Sequence, residues 1–102
     1  MSEFSLNDVL TLESDEDASY EDEVLALQRA INSNMWSLQG SYGRSMMAAI
    51  EAGQCMLGTS PARDYWGNYI PARDEVEPGT KGSREFVVET MGEVWATMLE
   101  ET

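Results

Sequence analysis

The sequence predicts a small all-α domain of about three main helices, with a long irregular loop before the last helix. Three observations carry this expectation. Apolar residues recur at spacings of three or four in three separate stretches. Two of those stretches open on a serine suited to capping a helix. No run alternates apolar and polar residues convincingly enough to be a strand. The chain has 102 residues, 42% of them apolar, so one domain with one core is the expectation.

Residues 1–18 form an acidic N-terminal segment and residues 19–102 the helical domain. In the first segment Leu6, Val9, Leu10 and Leu12 make a short apolar patch with Ser5 as its cap, followed by the charge run Glu13–Asp17. Two readings stay open: a disordered tail, or a short docking helix that folds onto the domain or onto a partner.

The first firm helix starts near Ser19. Glu21, Asp22 and Glu23 fall in its first turn, where the helix dipole favours negative charge. Val24, Leu27, Ile31, Met35 and Leu38 follow on one face. Asn32, Ser33 and Asn34 are poor helix formers and mark a bend or break. A second helix is expected from Ser41 to Leu57, with Tyr42, Met46, Ala49, Ile50 and Met56 on its buried face and Gly58 as its stop.

Residues 58–82 hold three prolines and four glycines, which makes them the irregular part. Pro61-Ala62-Arg63-Asp64 recurs as Pro71-Ala72-Arg73-Asp74. Each copy is expected to open a single helical turn, the first behind Ser60. Tyr65 to Ile70 reads as a strand or, with Gly67 and Asn68, as a turn. Ser83 then caps the last helix, whose stripe is Val87, Val88, Met91, Val94, Trp95, Met98 and Leu99. Gly92 interrupts it, as a close helix crossing would require.

Charge is the most unusual property. The net charge is −13, and the first 28 residues contain nine acids and no base. Such a field repels nucleic acid and anionic membranes and attracts basic protein surfaces. Direct nucleic-acid binding and membrane association are therefore not expected. No apolar run approaches the roughly 18 residues of a membrane span. The N-terminal layout is not that of a signal peptide, and a lone cysteine excludes an internal disulfide, so a cytoplasmic protein is the expectation.

The chemistry is narrow. There is no histidine, which removes the usual catalytic dyads and the commonest metal ligand. Cys55, among Ala52, Met56 and Leu57, reads as a core thiol. Asp15-x-Asp17-x-Ser19 starts like a calcium loop, but Tyr20 stands where glycine is needed and Ala26 where the bidentate glutamate is needed. Gly79-Thr80-Lys81-Gly82-Ser83 has the wrong order for a phosphate loop, although Lys81, Arg84 and the helix start could hold one anion. Neither an enzyme, a cofactor nor a metal is expected.

Two surfaces are candidates for contact. Glu85, Glu89 and Glu93 are spaced by four, with Glu100 on the same side and no lysine on the helix itself to neutralise them. On one helix they would rise about 6 Å per step, near the spacing of successive backbone phosphates. Asp15, Glu16 and Asp17 add to this acidic surface. Tyr65, Trp66 and Tyr69, beside Arg63 and Arg73, are residue types enriched at binding hot spots. The same rings could instead plug the end of a helical core. The six internal methionines read mostly as adaptable core packing.

In length, in the Glu3 to Glu23 acid block and in the Glu85-Glu89-Glu93 row, the chain resembles small acidic phage-encoded inhibitors of the anti-CRISPR and DNA-mimic type. That resemblance implies an inhibitor that occupies a basic groove on a protein, such as a nucleic-acid-binding complex, by steric and electrostatic competition. The alternative is a structural or regulatory adaptor subunit that uses a Trp and Met surface for homo- or hetero-oligomerisation, a homodimer included.

Overall fold

A computed structural model describes Asp8, Thr11, Leu12, residues 19–37 and residues 40–102. Among these residues the architecture is mostly helical, as expected. It has four helices rather than three, and a small hairpin that the sequence leaves undecided. Helix α1 spans Tyr20–Asn32, α2 Gly40–Glu51, α3 Arg84–Met91 and α4 Glu93–Glu100. Between α2 and α3 lie strands β1, Ala62–Arg63, and β2, Tyr69–Ile70. Asp8, Thr11 and Leu12 are helical positions ahead of α1.

Local signals set the start and stop of α1. Ser19 Oγ accepts from the Asp22 amide at 3.1 Å, and the Asp22 carboxylate accepts from the Ser19 amide at 3.3 Å. This reciprocal capping box satisfies two backbone donors. The helix ends at the Asn-Ser-Asn triplet: the Ser33 amide donates to the Arg29 carbonyl at 3.0 Å, and Asn34 turns to φ 59°. A single 3-10 turn, Met35–Ser37, leads toward α2 and buries Trp36.

Helix α2 stops six residues earlier than expected, at Glu51. Gly53, not Gly58, ends it. Gly53 takes φ 76°, and the Gly53 and Gln54 amides donate back to the Ile50 and Ala49 carbonyls at 3.1 and 2.9 Å. A Cβ on Gly53 would stand 2.5 Å from Thr90 Oγ1, so α3 passes too closely for any side chain here. Cys55, Met56 and Leu57 therefore run as a buried non-helical strip.

Gln28 on α1 secures that strip. It is fully buried, donates from Nε2 to the Met56 carbonyl at 3.0 Å and accepts at Oε1 from the Met56 amide at 2.9 Å. One side-chain amide thus replaces the neighbouring strand that an extended backbone would otherwise need. Leu57 is tied onward, its amide to the Gly82 carbonyl at 3.0 Å and its carbonyl to Arg73 Nε at 2.7 Å.

The two Pro-Ala-Arg-Asp copies fold differently. The second opens a 3-10 turn, Arg73–Glu75, as expected, with Glu75 Oε1 accepting from the Ala72 amide at 2.8 Å. The first is not a helical turn. Ala62 pairs with Ile70 and Arg63 with Tyr69 in an antiparallel ladder. The residues after each copy make the difference: Asp64 precedes a reversing Tyr-Trp-Gly-Asn segment, whereas Asp74 precedes Glu75, which caps the turn.

The single C-terminal helix expected from the sequence is two helices. Ser83 opens α3 as expected, accepting from the Phe86 amide at 3.1 Å. Gly92 then takes φ 97° and ψ 164°, a region open in practice to glycine alone, and the chain bends. A Cβ there would meet nothing within 4 Å, so the glycine serves the bend and not a close helix crossing. Helices α3 and α4 pack on each other, and α1 packs on α2. The shared core includes Ile31, Met46, Met56, Val87 and Leu99, all fully buried. Val94, assigned to the apolar stripe, is 86% exposed.

Candidate functional site

The aromatic loop is a hairpin whose tip is organised by one carboxylate. Asp64 Oδ1 accepts from the Trp66 amide at 2.9 Å and the Asn68 amide at 2.8 Å, and Oδ2 accepts from Asn68 Nδ2 at 3.2 Å. The backbone closes across it, Asp64 amide to Asn68 carbonyl and Gly67 amide to Asp64 carbonyl, both at 3.0 Å. Gly67 supplies the positive φ, 82°, that the reversal needs. Partial desolvation pulls the Asp64 carboxyl upward, but hydrogen bonds from Asn68, Trp66 and Gly67 together hold it below the usual carboxylate range. The tip is thus pinned in its ionised form.

This scaffold holds Tyr65, Trp66 and Tyr69 outward, at 62%, 61% and 51% exposure. They do not plug the core; Ile70, on the other side of β2, does that. Tyr65 and Trp66 meet edge to face at 5.4 Å, and the Arg63 guanidinium lies 5.9 Å from the Tyr69 ring centre. The Tyr69 hydroxyl donates to Glu75, with both carboxylate oxygens within 2.8 Å. That acceptor raises the Tyr69 phenol above its ordinary pKa, while the Ala72 amide and then Tyr69 lower that of Glu75. Arg63 donates to the Gly67 carbonyl at 2.9 Å rather than to Asp64, and Arg73 serves Leu57 and Asn32 rather than Asp74 or Glu75.

Between the hairpin and α2 lies an open cleft of about 170 Å³. Trp36, Met47, Trp66 and Ile70 supply its apolar lining, and Gly43, Arg44 and Asp64 complete it. Of this set, sequence reasoning places only Trp66 at a contact surface. An Asp-x-x-Gly-Asn run between two β-capable segments is the available signal for the pinned tip. Nothing local signals that Trp36 and Met47, on separate elements, meet it.

The acidic row does not survive as a row. Glu85 and Glu89 lie exposed on α3, but Glu93 and Glu100 belong to α4, beyond the bend at Gly92. The absent counter-charge is Arg84. Its Nη2 donates to Glu93 Oε1 at 2.6 Å and to Thr97 Oγ1 at 3.2 Å, and its Nε donates to Glu100 Oε1 at 2.6 Å. Glu93, Thr97 and Glu100 share one face of α4, and Arg84 clasps it from the start of α3. The Arg84 hydrogen bond, helped by its charge, draws the Glu93 carboxyl below its ordinary pKa, and Glu93 and Glu100 raise that of Arg84. Arg84 is thereby committed to these carboxylates instead of an outside anion beside Lys81.

Asp15, Glu16 and Asp17 lie outside the described residues. Asp8, from the same acid block, is nearly buried, and Arg29 donates to both its oxygens through Nε at 2.9 Å and to Oδ1 through Nη2 at 2.7 Å. Twenty-one positions separate this pair, so no local spacing rule could find it.

Among the described residues no group of three acids or cysteines is placed to hold a metal ion. Cys55 is buried, its thiol pushed up to about 12 by desolvation, 3.6 Å from the Val24 carbonyl. A thiol held in that state is a core side chain, not a nucleophile. No helix among the described residues is long and apolar enough to cross a membrane. The residues gathered at one place are therefore the hairpin rings, the adjoining cleft and the acids of the following turn. Comparison with family models, with curated proteins and with solved structures finds no match to this chain.

Proposed function

We propose that the chain is an acidic interaction protein that binds a basic protein partner through the aromatic hairpin. The observation that carries the reading is the presentation of Tyr65, Trp66 and Tyr69. All three are more than half exposed on a tip fixed by Asp64. Rings held rigidly lose little conformational freedom on binding, which is why such residues anchor interfaces. The surround supports a basic partner: Asp64, Asp74, Glu75 and Glu77 outnumber Arg44, Arg63 and Arg73 in this region, within a chain of net charge −13. In this reading the remaining acids, Glu85 and Glu89 among them, act at long range and speed encounter. The narrower reading, an anti-defence inhibitor occupying a nucleic-acid-binding groove, applies if the partner is itself a nucleic-acid-binding complex.

The test is a pull-down with the intact chain and with Trp66→Ala, at about 0.05 M and 0.5 M salt. The intact chain retains a basic protein at low salt and loses much of it at high salt. Trp66→Ala loses it at both. Retention unchanged by Trp66→Ala removes the hairpin from the interface. Retention unchanged by salt favours the adaptor reading, in which the apolar cleft of Trp36, Met47 and Trp66 makes the contact.

A further inference from the structure

We propose that the chain exchanges α4 with a second copy of itself by straightening at Gly92, giving a symmetric swapped dimer. The apolar stripe of residues 87–99 keeps helical spacing straight through Gly92, so the sequence specifies one long helix as readily as two short ones. A single residue joins α3 to α4, and its φ of 97° and ψ of 164° are the only break between them. Gly92 still donates to the Val88 carbonyl at 2.9 Å, in helical register. Helix α4 starts with no side-chain cap hydrogen bond, and straightening would offer its first amides helical acceptors from α3.

What α4 gives to the core can be given to another copy unchanged. Ala96 and Leu99 are fully buried, the Trp95 indole donates to the Gln54 carbonyl at 2.9 Å, and Arg84 clasps Glu93 and Glu100. All of these can re-form between chains, and only the bend itself is lost. Val94 stands 86% exposed although it lies on the stripe, and the junction of two straightened helices offers it cover. Two copies of charge −13 repel each other, so this association strengthens with salt, opposite in sign to the binding of a basic partner.

The test mixes two variants whose clasps fail alone and succeed only by exchange. One carries Arg84→Glu. The other carries Glu93→Arg and Glu100→Arg. Within either chain the clasp is repulsive, whereas exchange of α4 pairs opposite charges at both clasps of the mixed dimer. Light scattering behind size exclusion is expected to show a heterodimer in the mixture, even if either variant is unfolded alone. A mixture that stays at monomer mass, folded or unfolded, overturns the proposal. In the unaltered background, Gly92→Ala disfavours the bend and raises the dimer-to-monomer ratio roughly tenfold or more. Two residues inserted after Gly92 abolish the dimer, because a longer hinge lets α4 fold back. A Gly92→Ala chain that is monomeric at every concentration also overturns the proposal.

Discussion

Replacing Gln28 by leucine tests how the central strip is held. Leucine has nearly the volume of glutamine, so Gln28→Leu removes hydrogen bonds while leaving little cavity. It strands the Met56 amide and carbonyl, which pair with Gln28 at 2.9 and 3.0 Å inside the core. A buried backbone group left unpaired costs about 1–3 kcal/mol, so two cost about 4 kcal/mol together. Greater leucine hydrophobicity returns part of this, leaving a loss of about 3 kcal/mol against a total stability on the order of 5–15 kcal/mol. For a chain of this size that lowers Tm by roughly 12–24 °C. Thermal and urea unfolding followed by circular dichroism measure it, with an unchanged urea slope showing that the folded state is otherwise kept. Gln28→Glu sharpens the reasoning. A protonated carboxyl can still donate to the Met56 carbonyl, and an ionised one cannot. Its folded pKa is therefore raised above the unfolded value, and the stability it contributes is present at low pH and lost as pH rises through the folded pKa. A loss below about 1 kcal/mol for Gln28→Leu, or a pH-independent Gln28→Glu, refutes the account of the strip.

Three further outcomes rest on single contacts. Gly53→Ala combines a φ of 76° with a Cβ 2.5 Å from Thr90 Oγ1, and is expected to cost about 2–4 kcal/mol by urea denaturation. Thr90→Ala in the same chain removes both the hydroxyl and the methyl that crowd the site and recovers part of the loss. Cys55, buried with its thiol raised to about 12, is expected to resist alkylation in the native state and to react at the rate of global unfolding; fast labelling without denaturant is the contrary result. The Glu93 carboxyl is held below its ordinary pKa by Arg84, so the clasp contributes above the unfolded glutamate pKa and is lost as pH falls through the lower, folded one. Carboxylate chemical shifts followed by NMR should show Glu93 titrating below the usual glutamate range, and Arg84→Gln should return it to that range.

How much of the molecule is legible in the sequence depends on how far each residue reaches. Ser19, Ser83 and the Asn32-Ser33-Asn34 break act within one helical turn, and composition alone locates them. Local rules carry the second helix through Gly53 to Gly58 because either glycine could stop it. At Gly53 the backbone turns to φ 76°, and the close neighbour that leaves no room for a side chain there is Thr90, far along the chain. Gly92 is legible as an interruption but not in its cause, since backbone angle and close packing both select glycine. Gln28 is invisible because a polar residue beside an apolar stripe ordinarily faces water. Its partner, Met56, is twenty-eight positions away. The Glu85-Glu89-Glu93 spacing misleads for the same reason. A rule that looks four residues either way of Glu93 cannot see Arg84, nine positions back, which approaches Glu93 only after the chain bends.

The strip at Cys55–Gly58 also bears on how quickly the molecule assembles. Its backbone is fastened to Gln28 on α1, to Gly82 before α3 and to Arg73 in the loop, and none of these partners is a neighbour in sequence. Helical proteins usually fold fast because their contacts are local, and each distant pairing adds a loop to be closed before it is rewarded. By helix content this chain belongs with the fast folders. By the wiring of one short strip, its folding is expected to be slower than helix content alone implies, because three remote segments must gather around that backbone.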